Sequence, residues 1–213
     1  MKIKNRIPMY IAVQLEGYGG KRVWLQLPAN KERFDEAVGK IDGDCGCFRI
    51  SDYAVKVPKL SIGDAMRTPL SVMNYLASRL NRLTDDGILK LCAIADSDYY
   101  FDRVGQILDF TFQSHYYRLL PGITDEELLG QYHIGGPKNY IADAVLKRFI
   151  DRRDYGRRLA ETEKGAFTPH GYITSTIGWG LTPKMRNVPD SLNLKGYLDE
   201  DLYGDWSECD VTI

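Results

Sequence analysis

The chain has 213 residues, 44% hydrophobic and 27% charged, with 28 basic and 29 acidic side chains and a net charge of −1. That balance is ordinary for a soluble globular protein and too polar for an integral membrane protein, and no apolar run approaches the roughly 20 residues of a spanning helix. The charge is uneven: residues 1–60 sum to +4, 61–120 to −1, 121–180 to 0 and 181–213 to −4, so the start is basic and the tail acidic.

The opening MKIKNRIPMYIAVQLEGYGG places basic residues before a short apolar stretch broken by Gln14 and Glu16. It lacks a secretory apolar region, so the chain reads as cytoplasmic. MYIAVQL and RVWLQL have the apolar and β-branched content of two strands, with the glycines of GYGGKR as a hairpin connection. Asn30 is expected to cap a helix, KERFDEAVGKI, whose Phe34, Ala37, Val38 and Ile41 share one face. FRISDYAVKV alternates as a third strand, giving a small antiparallel sheet with one helix over residues 1–64.

Past Pro58 the pattern turns helical. PLSVMNYLASRLNRL spaces Met73, Leu76, Leu80 and Leu83 along one stripe, Thr84 caps DDGILKLCAIA, and DRVGQILDFTFQ reads as a third helix. These form a helical module over residues 65–119. A third module, 120–182, opens at Pro121: TDEELLGQYHI shows capping-box spacing from Thr124 to Glu127, and PKNYIADAVLKRFI follows as a helix behind a proline. DYGRRLAET and GYITSTIGW are then expected as two strands joined by the turn-rich EKGAFTPH. Residues 183–213 read as a loosely packed acidic extension, docked through Leu198, Tyr203 and Trp206. The fold class is α+β, a chain of three small domains.

Chemistry is sought with little result. GYGG lies between two strands and lacks the glycine spacing and following helix of a phosphate-binding loop. No GxSxG, HExxH or catalytic Cys–His context is present. Cys45 and Cys47 are too close for usual zinc-ligand spacing, and His115, His133 and His170 lie in separate segments, so neither a metal nor a cofactor is expected. Acid pairs such as Asp96 with Asp98, or Asp125 with Glu126, fit helix caps and solvated faces better than a catalytic dyad, and an enzyme is not expected. Asp151 to Arg158 packs four arginines and two aspartates into eight residues. Guanidinium groups neutralise phosphates, so Arg152, Arg153, Arg157 and Arg158 are candidates for nucleic-acid binding, together with Lys2, Lys4, Arg6, Lys21 and Arg22. Arginines beside a helix end with interleaved aspartates also make a structural ion-pair cluster. The aromatic runs around Tyr99, Phe101, Tyr116 and Tyr117 suit base stacking or a compact core.

Six segments in order carry a resemblance. IAVQLEGYGGKRVWLQLP resembles a strand, loop and WxxLP-type strand; FRISDYAVKV is similar to an FxxxDYE segment; LSVMNYLASRLNRLTDD to an LNYLA helix, with DRVGQILDFTFQ after it; LLPGITDEELLGQYHI to YPGVxxxEDLGRYxI; and IDRRDYGRRLAETEKGAFTPHGYI to FDYEAYGRDL followed by GxFxxxGYI. Over residues 9–178 the chain resembles the ArdA antirestriction proteins of conjugative elements, particularly the Gram-positive branch. The resemblance implies an elongated, three-domain, homodimeric and non-enzymatic protein without cofactors. Its surface carboxylates would stand in for DNA phosphates in the groove of a type I restriction-modification enzyme. The carboxylates available for that role are Asp96, Asp98, Asp102, Asp109, Asp125, Glu126 and Glu127, with more acids in the tail. The sequence departs from the pattern at Ala54 and Lys56, where relatives carry Glu after DY, and at Arg158, where they read YGRDL. A nucleic-acid-binding accessory protein using the Arg and Lys clusters is the alternative.

Overall fold

The computed structural model describes residues 11–17, 19–41, 48–99, 101, 103–135, 148–179 and 188–194. In chain order the elements are β1 (Ile11–Gly17), β2 (Arg22–Leu27), α1 (Lys31–Ile41), β3 (Phe48–Val55), α2 (Leu70–Leu80), α3 (Asp85–Ala95), α4 (Val104–Gln113), β4 (Tyr117–Leu120), α5 (Glu126–Gly135), α6 (Arg152–Glu163), β5 (Ala166–Thr168) and β6 (Gly171–Ser175). The class is α+β, with two three-stranded antiparallel sheets ordered β2-β1-β3 and β4-β6-β5. Among the described residues no helix is long and apolar enough to cross a membrane.

The chain divides into two compact units. One comprises Met1–Leu83, Asp102–Thr111 and Pro183–Ile213; the other Thr84–Phe101 and Phe112–Thr182. The helices expected as a separate middle module are therefore shared out: α2 belongs to the first unit and α3 to the second. Short amphipathic helices cannot bury enough apolar area by themselves, so each joins the nearest sheet.

In the first unit β1 alternates strictly. Ile11, Val13 and Leu15 are buried with Leu25 and Leu27 of β2 and with Phe34, Val38 and Ile41 of α1, at roughly 1.5–3 kcal/mol for each large apolar side chain taken from water. Asn30 caps α1 as expected, its Oδ1 accepting from Arg33 N at 3.1 Å. A bulge shifts the β1–β3 register between Gln14 and Leu15, and the extra residue, Ser51, donates its hydroxyl to Gln14 Oε1 at 3.1 Å. The start of α4 is capped from 40 residues away, by Asp64 Oδ1 accepting from Val104 N at 2.9 Å.

The polar centre of this unit is Asn74 in α2, which is wholly buried. Its Oδ1 accepts from Ala29 N at 2.7 Å, and its Nδ2 donates to Ala29 O at 3.0 Å and to Leu192 O at 3.1 Å. One amide thus fastens the segment after β2, helix α2 and the stretch 188–194. Part of the expected loose extension is therefore docked, through Leu192 and the buried Leu194; Leu198, Tyr203 and Trp206 lie outside the described residues. Asn74→Ala strands three backbone groups and leaves a small void, so it should cost about 3 kcal/mol by urea unfolding.

On the opposite face of the sheet, Glu16 accepts from Arg22 Nη2 at 3.1 Å and from Arg49 Nη2 at 2.9 Å. The hydrogen bond from Arg49, then that from Arg22, holds the Glu16 carboxyl below the usual carboxylate range. Its stabilisation is therefore complete above the unfolded carboxylate pKa and is lost as pH falls through the lower folded value. Urea midpoints for the protein and for Glu16→Gln should differ at pH 7 and converge in acid; a constant gap across pH would refute the ion triad.

Candidate functional site

The arginine-rich stretch from Asp151 is a helix, not the expected strand. Asp151 is its N-cap, with Oδ1 accepting from Asp154 N at 3.0 Å, and Asp154 reaches forward to Arg157 and to Arg158, the latter at 2.9 Å. These i,i+3 and i,i+4 pairs exist only on a helix, and the segment contains no β-branched residue before Thr162 to favour a strand. Lys164 ends the helix in the left-handed conformation, φ 49°, and Gly165 N donates back to Ala160 O at 3.0 Å. The connection EKGAFTPH then contains β5, paired with β6. Strand β4, absent from the sequence reading, comes from YRLL just before the Pro121–Gly122 turn. Helix α5 is capped by Asp125, whose Oδ1 accepts from Leu128 N at 2.8 Å, and not by Thr124. The helix expected in PKNYIADAVLKRFI lies mostly outside the described residues.

Helices α5 and α6 meet backbone to backbone. A Cβ on Gly156 would collide with the Glu126 carbonyl oxygen, and one on Gly130 with the Arg152 carbonyl oxygen. Behind this crossing Leu120, Leu129 and Tyr172 form a core with Ile123, Leu159, Ala160 and Phe167. The Tyr172 hydroxyl donates to Glu163 Oε2 at 3.0 Å; burial, with Glu163 beside it, raises its pKa.

The first turns of the two helices border an open cleft of about 370 Å³ lined by Glu126, Asp151, Arg153, Asp154 and Arg157. Arg153 donates to Glu126 at 3.1 Å although its side chain is 77% exposed. That hydrogen bond, with Glu127 and Asp125 adding through charge, raises the Arg153 pKa still further. Arg157 and Arg158 share Asp154. The cleft is lined by both signs of charge, so it offers a salt-bridged surface rather than a pocket for one ion.

The candidate carboxylates are dispersed. Asp98, Asp125 and Glu127 are exposed, and Glu126 is partly covered and paired with Arg153. Asp96 is not a surface group: its side chain is 9% exposed and meets His170 Nε2 at 3.1 Å, tying the end of α3 to the β5–β6 turn. Asp109 in α4 is 2% exposed and cannot face a macromolecule. Its sequence neighbours Leu108 and Phe110 already place it among core positions. Asp102 and the tail acids from Asp199 onward lie outside the described residues, as do Lys2, Lys4 and Arg6. Arg152, Arg153, Arg157 and Arg158 are all exposed on α6.

The aromatic runs divide: Phe101 and Tyr117 are buried, whereas Tyr99 and Tyr116 are 39% and 40% exposed. Tyr99 stacks on Trp179 at 4.4 Å between centroids, Trp179 Nε1 donates to Lys164 O at 2.6 Å, and Tyr117 is buried edge-on to Phe101. Burial pushes the Tyr117 hydroxyl up to about 12, and burial, followed by the Asp96 charge, raises the Cys92 thiol. Cys92 is thus held as a thiol in the core. Among the described residues no group of three or more His, Cys, Asp or Glu side chains is placed to hold a metal ion.

No family model matches the chain, and no curated protein matches it.

The glycine crossing supplies a direct test. Gly156→Ala should destabilise by about 3 kcal/mol or more, because backbone, not a movable side chain, fills the space. Gly135→Ala, with no atom within 4 Å of the added methyl, should stay within about 0.5 kcal/mol in the same urea titration.

Proposed function

We propose that the chain is a non-enzymatic antirestriction protein of the ArdA type, which occupies the DNA-binding groove of a type I restriction-modification enzyme. The observation that carries this reading is the order of elements. A three-stranded sheet with α1 comes first, then α2 to α4, then a second three-stranded sheet with α5 and α6, and the six resembling segments fall in that same order. A groove that grips a duplex presents Arg and Lys, and fixed carboxylates compete for those cations without any chemistry. Asp98, Asp125 and Glu127 are exposed for that purpose. The dimer and the cytoplasmic setting implied by the resemblance belong to the same proposal.

The α6 arginines support the nucleic-acid alternative less well. Arg153, Arg157 and Arg158 each already face a carboxylate, which lowers the field a duplex would feel.

Purified protein added to a type I enzyme and its duplex substrate should block cleavage, and the block should weaken as salt rises from about 50 to 200 mM. Combined Asp98→Asn, Asp125→Asn and Glu127→Gln substitutions keep an Asn cap on α5 and should weaken inhibition about tenfold. Absence of binding to any type I enzyme at low salt would end the proposal.

A further inference from the structure

The outer face of the first sheet carries chemistry that the antirestriction reading does not use. While Ile11, Val13 and Leu15 point into the core, the alternate residues of the three strands line up in rows across the other face. Register places Arg22, Glu16 and Arg49 in one row, Trp24, Gln14 and Asp52 in the next, and Gln26, Ala12 and Ala54 in the third.

The first row is a built cation pair. The Glu16 side chain is only 11% exposed, whereas Arg22 and Arg49 are 57% and 73% exposed. One carboxylate therefore lies beneath two guanidinium groups and fixes both toward solvent. A guanidinium has five donors, and Glu16 engages two on each arginine, through Nε and Nη2. In the second row Trp24 is 49% exposed on an edge strand. Successive rows on one face are about 7 Å apart. Gln14 is occupied by the Ser51 hydroxyl, while Asp52 and Gln26 are exposed on the same face, so the ring and the two guanidiniums share it with one carboxylate and one amide. Exposed Lys21 flanks it at the hairpin, and the first sixty residues carry +4.

We propose that this face binds single-stranded DNA, Trp24 stacking on a base while Arg22, Arg49 and Lys21 contact the adjoining phosphates. An indole can stack only on a base whose face is open, which excludes an intact duplex. Positive charge with an aromatic platform is the combination that holds a single strand without sequence preference. Stacking and phosphate contacts use nothing that a 2′-hydroxyl adds, so through them RNA gains nothing over DNA.

The full chain and a labelled oligothymidylate of about 15 nucleotides should give binding by fluorescence anisotropy at about 50 mM salt, with quenching of tryptophan emission. Trp24→Ala should weaken binding about 5- to 100-fold, and Trp24→Phe should retain most affinity while abolishing the quench. Circular dichroism checks that these exposed-site variants fold. Arg22→Gln with Arg49→Gln should reduce the slope of log K against log salt by about 1.4. Arg157→Ala with Arg158→Ala should leave binding unchanged. No binding at low salt, unchanged affinity in Trp24→Ala, equal affinity for duplex or for an abasic strand, or tighter binding of oligouridylate would each overturn the proposal.

Discussion

Two glycines let the backbones of α5 and α6 meet with no side chain between them, and much of what the second unit shows to solvent follows. The contact is nearly symmetric. Gly130 and Gly156 are each the fifth residue of their helix, and each faces the carbonyl of the other helix's first residue, Arg152 and Glu126. The two first turns are therefore held side by side. Asp125 to Glu127, placed where the helix dipole favours carboxylates, come against the arginine-rich start of α6. Glu126 then falls within reach of Arg153, and Asp154 is left to Arg157 and Arg158. Any larger side chain at the crossing would part the helices and with them the cross-helix pair.

Those ion pairs contribute little to stability, since exposed pairs are typically worth under about 1 kcal/mol. Their consequence is electrostatic. A carboxylate between two guanidiniums cancels much of their field beyond a Debye length of about 8–10 Å, so three of the four α6 arginines project less positive potential than their number suggests. Asp125 at the α5 cap and Glu127 in its first turn are exposed and add negative charge beside Arg153. A chain of net charge −1 can therefore still carry a locally negative surface, and the total charge is a poor measure of what a partner meets.

Much of the first unit was legible because its signals are local. Strict alternation in IAVQL, β-branched content in RVWLQL and the Asn30 cap specify β1, β2 and α1 within a residue or two. At Asp151 the turn-rich segment that follows suggests a strand, but Asp at the cap and Asp154 three and four residues ahead of Arg157 and Arg158 are the helix signals that prevail. Gly156, an apparent helix weakener, was a packing requirement that only the partner helix reveals. The Asn74 hub and the Asp64 cap on α4 join residues at least 40 positions apart, and no pattern within a window encodes them. Of the candidate carboxylates, Asp109 was betrayed by its apolar neighbours, whereas the covering of Asp96 depends on His170.

Among the described residues the same device, one carboxylate between two arginines, occurs on the first sheet and on α6 with different outcomes. On the first sheet the arginines reach Glu16 from two neighbouring strands, so the carboxylate sinks beneath them and both guanidiniums stay on top. On α6 the arginines follow Asp154 by three and four residues along one helix, and the carboxylate stays 37% exposed beside them, against 11% for Glu16. A polyanion approaching the sheet meets cations first and a tryptophan one row away. Approaching α6, it meets the carboxylate together with the arginines, with Phe149 just ahead of the helix 82% exposed. Geometry rather than arginine count thus separates a surface suited to a nucleic-acid strand from one that is largely self-neutralised.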